Sequence, residues 1–240
     1  MYILLDANVT AGYYLPRSLN SAVARERIQI IFDSARSGKS DFFFYLPNFC
    51  VAEVFSVFMK HSFGSWNGHV SKKGTIDTRV YSSLVEQFQD DIHNGKFIYH
   101  YELSRYHVLG INLIAPIDHY YRFRRGKKKN VTPMGTFDHL IISMGVHLSK
   151  IHGRDTVVVL SADDRLTDIL HKCCTGISKR TQRKLHLEGA EKLTGVPFAP
   201  NTFPRGINLK TATKADLREV FGAWPLEVGT VRGVYRWARV

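Results

Sequence analysis

The stretch VVVLSADDRL, residues 157–166, constrains the fold more than any other. Its four leading aliphatic residues are too few for a buried helix, and their β-branching suits a strand buried on both faces. The chain then sets Asp163 and Asp164 side by side, ahead of a helix-like pattern. Two other runs share this design: YILL ends in Asp6, and FFFYL ends in Pro47. Short apolar strand followed by helix, repeated, predicts a parallel α/β sheet.

Apolar spacing predicts a helix over residues 16–37, with Leu19, Val23, Ile28, Ile31, Phe32 and Ala35 inward and Gly38 as its stop. Asn48 is expected to cap a second helix whose inner face is Val51, Val54, Phe55 and Phe58. Further helices are expected over residues 78–93, over residues 105–125 despite Pro116, and over residues 135–150, the last with Leu140, Ile141, Met144 and Leu148 on one side. Residues 64–74 read as a polar break, and residues 97–101 as a strand or a buried connector. Past residue 171 the periodicity degrades into basic residues, prolines and glycines, with one short helical stretch at residues 214–221.

A chain of 240 residues with 44% hydrophobic content can build a real core, which excludes disorder as its main state. The formal net charge of +12 points to a polyanionic partner, nucleic acid first and an anionic membrane surface second. Three cysteines, Cys50, Cys173 and Cys174, form no C-x-x-C pair or zinc-type spacing, which suits a reducing cytoplasm. The N-terminus lacks a basic region and carries Asp6 inside its apolar run, unlike a signal peptide, and no run of about eighteen apolar residues predicts a membrane span.

Ligands of an open parallel sheet bind at the carboxyl ends of its strands. Asp6 and Asp163 fall at such ends, Glu53 near the start of the helix that leaves FFFYLP, and Asp138 in the first turn of the helix from MGTFDHLI. The expectation is that these four carboxylates converge on one rim, where they repel unless a cation neutralises them. Oxygen ligands with no His or Cys cluster favour Mg²⁺ or Mn²⁺ over zinc, and the chemistry that suits such an ion is phosphodiester hydrolysis. Each acid also has an ordinary reading. Asp6 suits a turn cap, Glu53 a solvated helix position, Asp138 a helix start, and Asp163 with Asp164 an N-cap and its neighbour.

In order along the chain, LLDANV, LPNFCVAEVFSVF, GTFDHLIISMG and VVLSADDRL resemble the four acidic motifs of the PIN-domain nucleases. The resemblance covers roughly residues 1–170, with a longer stretch between residues 64 and 132 than the compact toxin-type members have. It implies a flavodoxin-like, three-layer α/β/α sandwich with a central, mainly parallel sheet, Mg²⁺ or Mn²⁺ dependence, and endoribonuclease activity. By position it makes Asp6, Glu53, Asp138 and Asp163 the acidic metal-site residues, with Asn8 and Ser161 as the small polar neighbours that orient them. Asp164 is either a further ligand through water or a residue that favours the helix dipole. The expected organisation is a PIN-like domain over residues 1–185, with a helical insertion at residues 65–132 and an extension at residues 186–240. The length departs from the compact toxins; a homodimer and an antitoxin-type protein partner stay open.

YYRFRRGKKK, residues 120–129, interleaves aromatics with Arg122, Arg124, Arg125, Lys127, Lys128 and Lys129, and runs into the loop before Asp138. Such a segment suits single-stranded RNA, with cations on phosphates and Tyr120, Tyr121 or Phe123 on unpaired bases; its ordinary reading is a solvated helix end. SKRTQRKLH and VRGVYRWARV are further basic clusters. Two rival functions stand beside the nuclease. Asp6-Ala7-Asn8-Val9-Thr10 resembles the D-x-D-x-T motif of haloacid-dehalogenase-like phosphatases, but Asn8 is no carboxylic acid and Glu53 goes unexplained. A non-catalytic nucleic-acid-binding module of the same fold is the other, with the presence of all four acids against it.

Overall fold

The computed structural model describes residues 1–16, 22–66, 71–72, 74–93, 97–124, 133–187, 192 and 202–230. Its centre is a five-stranded, all-parallel sheet flanked by helices, an α/β/α sandwich of the expected class. The strands are β1 (Tyr2–Leu5), β2 (Phe43–Pro47), β5 (Ile98–Tyr101), β6 (Val157–Ser161) and β7 (Arg205–Asn208), in the spatial order β5-β2-β1-β6-β7. Two short strands, β3 (Ser65–Trp66) and β4 (Ser71–Lys72), pair antiparallel outside this sheet. The molecule divides into two compact units: residues 1–4 with 102–208, and residues 5–101 with 209–240.

In the first unit, β6 is buried at all five positions, as its unbroken aliphatic run requires. It pairs with β7 in the register Val158↔Arg205 to Ser161↔Asn208. β7 comes from the stretch read as an extension, where a Gly in RGIN and flanking prolines hide the strand signal. Helix α5 (Arg105–Arg124) packs on α6 (Thr136–His152) at Gly110, where a Cβ would stand 1.9 Å from the Ser143 hydroxyl. Only glycine permits that approach, and the same Ser143 hydroxyl donates to the His107 carbonyl at 2.7 Å. Helices α7 (Asp164–Thr175) and α8 (Lys179–Lys184) follow β6.

In the second unit, α1 (Ala7–Tyr14) starts directly after Asp6, and α2 is Ala22–Arg36; residues 17–21 lie outside the described set. The expectation of one helix over residues 16–37 missed α1, because seven of its eight residues are buried and no polar face marks its period. Asn48 is the first residue of α3 (Asn48–Phe63), with Pro47 in the cap position and no side-chain cap bond. β2 therefore runs into α3 without a loop, which corrects the expected Asn48 cap. α4 (Thr78–His93) and α9 (Lys214–Phe221) complete this unit's helices among the described residues. Tyr13, Tyr14, Phe32, Phe44, Phe58 and Phe88 fill its core, with Phe32 at 4.7 Å from Phe44 and Tyr14 at 5.3 Å from Phe88.

Among the described residues, no helix is long and apolar enough to cross a membrane.

Candidate functional site

The first unit presents two acids at the ends of its elements. Asp163 follows β6 and caps α7: its Oδ1 accepts the amides of Arg165 (2.7 Å) and Leu166 (3.0 Å), and its own amide donates to the Ser161 hydroxyl at 2.9 Å. The cap reading of Asp163 is thus realised, and it leaves Oδ2 with no hydrogen bond among the described residues. Asp138 sits in the first turn of α6, where its Oδ2 accepts the Gly135 amide at 3.1 Å. Burial first, and then the charge of Asp163, push the Asp138 carboxyl up; the Gly135 amide, His139 and Arg165 oppose that rise without cancelling it. Asp164 is exposed at the first position of α7, and its Oδ1 accepts from the Asn208 side-chain amide at 2.6 Å, which ties it to the end of β7.

Behind these acids stands Asp118 on α5, only 3% exposed. Its Oδ1 accepts both Arg165 Nε (3.1 Å) and Nη2 (2.9 Å), and its Oδ2 accepts the Met134 amide at 3.0 Å. One buried carboxylate thereby joins α5, the segment that leads into α6 and the first turn of α7, and it holds a guanidinium near Asp138 and Asp163. His139 Nε2 lies 3.7 Å from Asp118 Oδ2, too far for a hydrogen bond, and has no hydrogen-bond partner among the described residues. Burial pushes the His139 imidazole down, which favours its neutral form.

The second unit holds the other two acids in a different setting. Asp6 is buried between β1 and α1; its carbonyl accepts the Thr10 amide and hydroxyl, each at 3.0 Å, and its Oδ2 accepts from the Asn8 side-chain amide at 2.7 Å. Glu53 is half-buried on α3, one helical turn past Cys50. Burial, then Asp6, then Glu53 raise the Cys50 thiol far above its ordinary value, so it stays protonated. The thiol donates to Glu53 while its sulfur accepts the Ala7 amide, so a neutral group stands between α1 and the Glu53 carboxylate.

The sequence-predicted acids are thus found as two sets, Asp138 with Asp163 and Asp6 with Glu53, one in each unit. Among the described residues, no group of three or more His, Cys, Asp or Glu is arranged to hold a metal ion. Asp118 and Arg165 have no role in the site expected from the motifs, and Cys50 enters there only as a free cysteine. The available signals were an aspartate breaking the apolar run LIAPIDHYY and an arginine directly after the paired aspartates.

Arg122 and Arg124 belong to the last turn of α5, and Arg125, Lys127, Lys128 and Lys129 lie outside the described residues. Two aromatics of the same segment do meet cations: Lys184 Nζ stands 5.6 Å from the Tyr120 ring centre, and Lys172 Nζ 5.8 Å from that of Tyr121. Lys184 comes from the SKRTQRKLH cluster, which thus reaches Tyr120 on α5. No family model, curated protein or solved structure matches the chain.

Proposed function

We propose that this protein is a Mg²⁺- or Mn²⁺-dependent endoribonuclease, PIN-like in its acidic motifs, that hydrolyses phosphodiester bonds of single-stranded RNA in the cytoplasm. The observation that carries the reading is Asp138, a carboxyl pushed up by burial and by Asp163 although Arg165 and the Gly135 amide oppose the shift. A carboxyl in that state gains from a cation, which removes the repulsion between it and its neighbour. The donor chemistry fits a hard ion: Asp138 and Asp163 each spend one oxygen on backbone amides and keep another. Two carboxylates are also what magnesium typically takes from protein, its remaining positions going to water and substrate phosphate. Asp6 and Glu53 are assigned to the same chemistry by their motif order and by their places after β1 and near the start of α3.

When bound, the divalent ion supplies the positive charge that activates a water and neutralises the phosphate oxygens. The chain's own residues do the rest. The α7 amides fix the Asp163 carboxylate, Asp118 fixes Arg165, and the Met134 contact sets the entry to α6 and hence Asp138. Tyr120 and Tyr121, with Lys184 and Lys172 over their rings, offer cations and ring faces to a single strand.

The test is incubation of unstructured RNA with Mn²⁺ or Mg²⁺ and the wild-type, Asp138→Asn and Asp163→Asn proteins, with a small phosphomonoester as control. Metal-dependent RNA fragments from the wild type alone, and no release from the phosphomonoester, are expected. Cleavage that persists in both variants, or an absence of cleavage with either metal, would overturn the assignment.

A further inference from the structure

The register of β2 and β5 puts four aromatic residues on one face of the sheet. Tyr45 is directly opposite Tyr99, Pro47 is opposite Tyr101, and Phe43 lies two residues before Tyr45. Side chains alternate along a strand, so Phe43 and Tyr45 share a face with Tyr99 and Tyr101, while Phe44, Leu46 and Ile98 point to the buried side. The rings form a continuous track: Phe43 to Tyr45 is 4.8 Å between centres, Phe43 to Tyr99 6.1 Å, Tyr45 to Tyr99 5.7 Å and Tyr45 to Tyr101 5.3 Å. Phe43 is 40% exposed and Tyr99 44%, whereas Tyr45 and Tyr101 are half-buried. Burial pushes the Tyr101 hydroxyl up to about 12, so that ring carries no charge at neutral pH.

A core has no use for two large rings held at the surface, and β5 is the edge strand, where exposed aromatics invite unwanted pairing. The chain's formal charge of +12 attracts a polyanion and repels a second copy of itself. Nucleobases supply flat apolar faces on a polyanionic strand, and aromatic side chains on a sheet hold them by stacking without choosing among bases.

We propose that the aromatic face of β2 and β5 is a stacking platform for unpaired bases of single-stranded RNA. The proposal rests on the RNA reading above and adds to it a place where the strand is held. Tyr101 is level with Pro47, directly before α3, so the track runs along the sheet to the edge from which the helix bearing Glu53 departs.

The test uses the full chain in EDTA, which prevents metal-dependent cleavage, and fluorescence anisotropy with a labelled single-stranded RNA and an abasic oligonucleotide of equal length. The wild type should bind the base-bearing strand more tightly than the abasic one. Phe43→Ala and Tyr99→Ala should each weaken that binding roughly tenfold and together erase the preference, while Tyr99→Trp keeps it. The slope of affinity against salt should be the same in all variants, because the phosphate contacts are untouched. An unchanged preference in the double variant would overturn the platform and leave the RNA reading standing. A change in sedimentation rather than in RNA affinity would reassign the face to protein contacts. Failure of the wild type to bind either strand would remove both readings.

Discussion

Each unit of the molecule sets a partly exposed arginine on a buried aspartate, and the two pairs have different neighbours. In the first, Arg165 is held by Asp118 and lowers the cost of ionising Asp138 beside Asp163. In the second, Arg36 pairs with Asp91, which also accepts the Tyr14 hydroxyl at 2.5 Å, and its guanidinium lies 3.8 Å from the Phe97 ring centre. That network fastens α1, α2 and α4 together, and beside the acids of its unit, Asp6 and Glu53, stands the Cys50 thiol, which burial keeps neutral. Structural packing therefore suffices to explain Arg36, whereas Arg165 stands beside a carboxyl, Asp138, that burial and Asp163 push up and that it pulls back down. A buried ion pair taken alone says little about function, since its desolvation offsets much of its attraction. Its neighbours make the difference.

The sharpest way to break this comparison is to remove each cation in turn. Arg165→Met leaves Asp118 buried with the Met134 amide and no cation, and Arg36→Met does the same to Asp91; each should cost about 3–5 kcal/mol in chemical denaturation. Only Arg165→Met should also change the affinity for Mn²⁺, and equal changes in both variants would erase the distinction. A smaller effect is expected from Tyr14→Phe, which strips one hydrogen bond from the buried Asp91 carboxylate: about 1–3 kcal/mol, with Mn²⁺ affinity unaltered.

A pH series separates the two acid sets. Asp138 holds its proton more tightly in the folded chain than in the unfolded one, so the fold loses stability as pH rises from the ordinary carboxylate range through the raised pKa. Asp138→Asn should flatten that fall and melt higher than wild type at neutral pH without metal, and a lower melting temperature there would contradict it. The smallest effect concerns Cys50, whose thiol should resist Ellman's reagent in the native protein and react only on unfolding. Labelling in the native state would show that the thiol between Asp6 and Glu53 is not the neutral spacer described.

Much of the architecture was legible where residue pattern and burial agree. VVVLS had to be a strand covered on both faces, and the apolar period of residues 78–93 gave α4 its observed bounds. α1 escaped because a helix buried on nearly every side shows no period, and β7 because RGIN has little strand propensity and is a strand only by pairing with β6. At the candidate site, the places of Asp6, Asp138 and Asp163 at strand and helix ends follow from the alternation of elements. Asn8 beside Asp6 and Ser161 beside Asp163 are local contacts, two residues apart, and so are readable from motifs. Asp118 is different. Its partners lie 16 and 47 residues away, and no local spacing encodes a contact of that range. The same holds for Asn208 on Asp164, 44 residues apart.

The most direct test of the cation reading is a Mn²⁺ titration followed by electron paramagnetic resonance, on the wild type and on Asp138→Asn. The wild type is expected to bind the ion, and the variant to bind it more weakly by at least the roughly 10–100-fold that loss of an outer-shell partner costs. Equal binding by the two proteins, or no binding by the wild type, would contradict it.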